Sequence, residues 1–285
     1  MVSALIKTVI TLFEQIGPFM FVVLRLGGVF FLAPIVSGVS IPYQVRILLT
    51  FGLGLAVFAS VPREVIPPLP TDIFTLAAWA VGETIIGFLI GLLAMIPLTA
   101  LQLGGLLMGQ QIGLGLAQVV NPALETDSDL LGELLLYLGL GAFLALGGFE
   151  LVFVAAAHSF THLPMGGFSL AAAPYELIRG LIGSGFEMAL RVSLPVMAIL
   201  LFETIASAFI AKTVPQLNVT NLGFGLKIVL GLAAMTAGLV AIHDVTFDRM
   251  GESLGQLMTW AAGSTDGSAV GSANGSVVGP AGGAR

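Results

Sequence analysis

Residues Gly104–Pro122 read GGLLMGQQIGLGLAQVVNP, near the middle of 41 consecutive residues, Thr84–Leu124, that carry no ionisable side chain. Gly104, Gly105, Gly109, Gly113 and Gly115 each weaken helical order, by roughly 1 kcal/mol relative to Ala. Gln102, Gln110, Gln111, Gln118 and Asn121 bring amides that hydrocarbon cannot satisfy. Backbone this loose survives at membrane depth only where protein surrounds it or where it lines a watery cavity. The other reading is a helix packing seam, because Gly105, Gly109 and Gly113 recur at four-residue spacing. On spacing alone the seam is the simpler of the two.

The rest of the chain sets the surroundings. Of 285 residues, 57% are hydrophobic and 9% charged, with a mean hydropathy of +1.05. A soluble domain carries about 25% charged residues, so the chain is an integral membrane protein. Its net charge of -6 and scattered Lys and Arg leave no phosphate-tracking patch, which excludes a nucleic-acid partner. There are no cysteines, hence no disulfides and no thiolate metal site. Lys7 precedes an apolar run, but Glu14 interrupts it and no small-x-small cleavage site follows, so an uncleaved first helix is expected.

Apolar segments fall at about 16–33, 45–61, 73–107, 130–157, 177–211 and 222–247. One crossing needs about 20 residues. The third and fifth segments hold 35 each and contain Pro97 and Pro195, which remove a helix hydrogen bond. Both are expected to fold as bent helices or hairpins. The class is therefore all-α: a polytopic membrane protein of long, kinked helical hairpins. A helical membrane domain covers 1–262, and 263–285 is a flexible Gly/Ser/Ala-rich tail. Basic residues fall on both sides of a six-span count and do not orient the chain.

Few residues carry chemistry. Glu125, Asp127, Asp129 and Glu133 open the next helix, where acids suit the dipole; their spacing lacks the EF-hand glycine and twelfth-position Glu. His158 and His162 lie one turn apart without a third ligand nearby, which favours interfacial hydrogen bonding over metal binding. Glu187 and Arg191 share a helix face and can pair. Arg25, Glu83, Glu150, Glu203 and Lys227 interrupt apolar stretches. Such groups are costly in lipid and face protein or a cavity, as inter-helix pairs or as a proton relay. No nucleophile, base and orienter fall into a recognisable arrangement. No catalytic residue, cofactor or metal is assigned.

The stretch Ala211–Ile228, AKTVPQLNVTNLGFGLKI, sets a Lys, a Pro and three amides between two apolar segments. In five ordered blocks over about residues 10–250, the chain resembles the FliR family of the bacterial flagellar type III export gate. These are Pro34–Arg46; Glu83 with Gly87 and Gly91; Gly104–Pro122; Gly147, Gly148, Glu150, Ser159, Phe160 and Pro164; and Pro215, Gln216, Leu217, Asn218, Gly223, Phe224 and Lys227. Asn121–Pro122 stands where the family usually has Asp-Pro, and Lys212 where Arg is common, which keeps charge but loses bidentate geometry.

The resemblance implies one copy in a helical assembly with FliP, FliQ and FlhB type subunits in the bacterial inner membrane, at the flagellar basal body. Unfolded export substrates would pass through it, with no covalent chemistry. It turns the opening stretch into a plug loop. Met108, Gly109, Gln110, Gln111, Ile112, Gly113, Leu114, Gly115, Leu116, Val119, Asn121 and Pro122 would form the gate, its apolar members sealing by dewetting. Glu83, Gly87, Gly91, Lys212, Pro215, Gln216, Asn218 and Lys227 would serve packing and partner contacts. The virulence-injectisome counterpart is the nearest alternative; a secondary transporter built on two proline-broken helices is a more distant one.

Overall fold

Apolar runs of this length satisfy their backbone inside a bilayer only by hydrogen bonding within themselves, as helices do. The computed structural model describes residues 2–34, 42–62, 66–114, 130–168, 174–213 and 219–263. Among these residues there are eight helices and no strand. In order they are α1 (Val2–Leu32), α2 (Tyr43–Ser60), α3 (Ile73–Ile112), α4 (Leu130–Ala145), α5 (Gly148–His162), α6 (Tyr175–Thr213), α7 (Val219–Ala237) and α8 (Leu239–Ala261).

Four of them, α1, α2, α3 and α6, are long and apolar enough to cross a membrane. The pairs α4–α5 and α7–α8 are each bent at a short break and bring the count to six. Those six match the six apolar segments. The first break falls at Gly147, whose φ of 69° is left-handed and favours glycine. The second falls at Gly238.

The hairpin expectation for the two long segments is corrected. α3 runs unbroken for 40 residues through Pro97, and α6 for 39 through Pro195. Each proline removes one hydrogen bond, and dozens of others remain along the helix. At 1.5 Å per residue each reaches roughly 60 Å, about twice the hydrocarbon thickness.

The chain divides into two compact units. The first comprises residues 1–95, 148–177 and 252 onward. Here α1 and the first half of α3 run parallel, because Gly87 of α3 lies against Arg25 and Val29 while Gly91 lies against Val29 and Leu32. A Cβ at Gly87 would collide with the Arg25 carbonyl oxygen, and one at Gly91 would come 2.7 Å from that of Val29. Gly28 is equally close to the α3 backbone at Thr84. Lipid offers no hydrophobic force between helices, so this backbone approach carries their association. α2 packs on α1 through Thr50, Gly54 and Val57, with Gly54 against Val23.

The second unit comprises 96–147 and 178–251. Its core joins Leu101, Met108 and Ile112 of α3 to Leu131 and Leu135 of α4, Met188, Val192, Val196 and Leu200 of α6, Met235 of α7 and Ile242 of α8.

Candidate functional site

The glycine-rich stretch is the first place to look. The expectation of loose backbone from Gly104 is corrected: α3 continues through Ile112. Close packing offsets the glycine penalty. A Cβ at Gly105 would strike the Leu131 carbonyl oxygen and stand 2.6 Å from the Gly132 Cα; one at Gly104 would stand 3.0 Å from the Ala189 oxygen. The seam therefore uses Gly104 and Gly105. Gly109 makes only an ordinary contact with Leu131, and Gly113 ends the helix.

That ending is a Schellman cap. The Leu114 N–H donates to the Gly109 carbonyl at 3.1 Å and the Gly113 N–H to that of Gln110 at 3.1 Å. Gly113 takes φ 93°, which a side chain would strain. Just before the cap, Ile112 presses onto Gly231 of α7, where a Cβ would sit 2.6 Å from its Cγ1. Met108 and Ile112 are fully buried in the second unit's core. Gln110 is exposed, while Gln111, Gly113 and Leu114 are half-buried. Gly115, Leu116, Val119, Asn121 and Pro122 lie outside the described residues. Met108 and Ile112 thus pack into the core at the end of α3.

The second place is a buried polar cluster in the first unit. Arg25, Glu83 and Ser159 are all fully buried. Arg25 Nε donates to Glu83 Oε2 at 2.6 Å, Nη1 to Ser159 Oγ at 2.9 Å and Nη2 to the Leu163 carbonyl at 2.9 Å. The guanidinium carbon stands 3.8 Å from the Phe160 ring centroid, a cation–π contact. Ser159 in turn donates to the Ala156 carbonyl at 2.7 Å. Glu83 Oε1 accepts the Gly166 N–H at 3.1 Å. That amide belongs to the turn Pro164–Gly167, closed by the Gly167 N–H on the Pro164 carbonyl at 2.9 Å, with Gly166 at φ 72°. One ion pair thus ties α1, α3, α5 and the turn after α5.

Glu83, Gly87 and Gly91 all make close contacts within the chain itself. Arg25 and Ser159 as its partners were not singled out as a set. The signal was present: Arg25 and Glu83 are the lone charges of the first and third apolar segments. Opposite charges isolated in lipid-spanning helices find each other.

Elsewhere, Glu187 accepts from Arg191, its neighbour four residues on, and also from Arg249 Nη2 at 3.0 Å. Glu203 is buried and accepts from Ser207 Oγ at 2.6 Å. Lys212 is exposed and Lys227 half-buried; Pro215, Gln216 and Asn218 lie outside the described residues. His158 and His162 are exposed, and among the described residues no three His, Cys, Asp or Glu side chains gather to hold a metal. Beside the Gly166 turn is a shallow cleft of about 460 Å³ lined by Phe74, Trp79, Gly82 and Phe168.

Among the described residues, the buried polar groups named above tie helices together. The pattern of the family described as bacterial export proteins, family 1, matches residues 16–253. The flagellar biosynthetic protein FliR of Aquifex aeolicus is 28% identical over 219 residues, 76% of this chain and 83% of that protein. FliR of Escherichia coli is 28% identical over 216 residues, 75% and 81% of the two chains. The Yop proteins translocation protein T of Yersinia pestis is 28% identical over 177 residues, 61% and 67%. A match over that much of its length makes this chain a member of the bacterial export proteins, family 1.

Proposed function

We propose that the protein is a membrane subunit of a type III export apparatus, that it helps form the conduit for unfolded polypeptides, and that its charge-free segment after Gly113 seals that conduit at rest. The family match across residues 16–253 carries the reading. The flagellar system is favoured over the injectisome because the flagellar relatives align over about three quarters of the chain and the Yersinia protein over 61%. FliP, FliQ and FlhB type subunits are the partners this implies, in the bacterial inner membrane. The role is structural, with no bond made or broken.

Physical support for the seal lies at its root. The cap at Gly113 and the seat of Ile112 on Gly231 give the segment a fixed starting point. Beyond it, Leu114, Leu116 and Val119 supply apolar bulk without a charge to draw ions. The transporter alternative loses its premise, since α3 and α6 are unbroken. Deleting Gly115–Pro122 from the assembled complex in a planar bilayer tests the seal: ion conductance rises if the segment closes the path, and an unchanged baseline refutes it.

A further inference from the structure

α2, like α6 and unlike α1 and α3, is a membrane-length helix of which little is covered. Thr50, Gly54 and Val57 are its buried residues, Phe51 and Phe58 set their rings against Phe19 of α1, and Val45, Ile47, Leu48 and Leu55 are exposed. Its 18 residues reach about 27 Å, close to the roughly 30 Å of a hydrocarbon layer. A helix of that length, apolar on every uncovered side, is built to stand in lipid.

It carries one charge, Arg46, in its first turns. A cation at a helix N-terminus opposes the dipole, so helix stability does not account for it. Arg25 has Glu83, and Arg191 and Arg249 have Glu187. Arg46 has no carboxylate among the described residues, and its Nε is shielded from solvent without a hydrogen-bond partner. The chain just before it, residues 33–42 (APIVSGVSIP), contains no Asp or Glu. Tyr43 lies one turn earlier on the same face and is exposed. An amphipathic ring beside a cation, at the rim of an apolar span, marks the headgroup level.

We propose that the Tyr43–Arg46 end of α2 binds the phosphate of a membrane phospholipid, whose acyl chains lie along the exposed apolar side of the helix. The guanidinium supplies the counter-charge and a charge-assisted hydrogen bond. A membrane lipid fits better than an acidic segment of another subunit, because the only cation stands at one end of a bilayer-length apolar surface. The inference rests on the membrane character of the chain and is independent of the seal.

The test uses the full-length protein in its native complex, delipidated in mild detergent and followed by native mass spectrometry. Phosphatidylglycerol, phosphatidylcholine and the phosphate-free monogalactosyl diacylglycerol are titrated in turn. Both phospholipids should be retained over the galactolipid. Arg46→Gln should weaken phospholipid retention about tenfold, and Arg46→Lys should restore part of it. Equal retention by wild type and Arg46→Gln, or no preference over the galactolipid, overturns the proposal. A photo-crosslinker at Tyr43 in native membranes tests it without depending on how the variants fold. A phospholipid adduct supports the site, whereas an adduct to a protein subunit overturns it.

Discussion

Arg25 Nε and Glu83 Oε2 stand 2.6 Å apart, fully buried, on helices whose sequence positions differ by 58. Removing one member of such a pair leaves an uncompensated charge, at a cost of about 3–5 kcal/mol. Glu83→Gln should therefore sharply lower the thermal stability of the purified protein in detergent. The double variant Arg25→Met/Glu83→Gln should recover much of that loss, since it strands no charge. Arg25→Lys should not substitute, because a point charge cannot reach Glu83, Ser159 and the Leu163 carbonyl at once.

Glycines in the same fold should answer oppositely to alanine. At Gly87 a Cβ would run into the Arg25 backbone, so Gly87→Ala should separate α1 from α3 and lower stability. Gly180 of α6 has open space around its would-be Cβ. Gly180→Ala should raise stability by about 0.5–1 kcal/mol through helix propensity alone. Thermal melts of the two single variants, compared side by side, check the pair.

The cap of α3 depends on a left-handed residue. Gly113→Ala forces a side chain into φ 93°, at a cost of about 1–2 kcal/mol. The expected consequence is local. Amide hydrogen exchange should quicken at Gly113 and Leu114, whose N–H groups close the cap, while the Leu101–Met108 amides keep their protection.

The other end of α3 carries a pH dependence. Asp72 caps it: its carboxylate accepts from the Thr75 N–H and hydroxyl, both at 3.0 Å. The backbone bond first, and the hydroxyl second, hold this carboxyl below its ordinary value. A lowered folded-state pKa stabilises the helix start above the unfolded pKa, and that stabilisation fades as pH falls through the folded value. The protection of the Thr75 amide, its exchange measured against the intrinsic rate at each pH, should thus fall on acidification below about pH 4. Asp72→Asn keeps a capping oxygen and should flatten that response.

Much of this fold is legible in the sequence. Six apolar segments correspond to four long helices and two bent pairs, because backbone satisfaction in lipid leaves little else to choose. The Gly87 and Gly91 face is equally readable, since small residues at four-residue spacing announce close approach. What misleads is local propensity. Three glycines and two glutamines argue against helix at Gly104–Ile112, yet the backbones of α4 and α6 come close enough at Gly104 and Gly105 to reward the missing side chains. Pairing is the other gap. Arg25 and Glu83 each stand out as isolated charges, but only the parallel register of α1 and α3 makes them partners and brings Ser159 and the Gly166 amide to the same point. Of the residues expected to form the gate, Met108 and Ile112 are buried at the end of α3, because the seam carries the helix further than its glycines alone would allow.

Secretion itself is the most direct test of the whole account. With the gene deleted from its own bacterium, the amount of flagellar export substrate reaching the medium is measured, with and without the wild-type chain supplied in trans. The account predicts that export stops and that the wild-type chain restores it. Undiminished export from the deletion strain would contradict it.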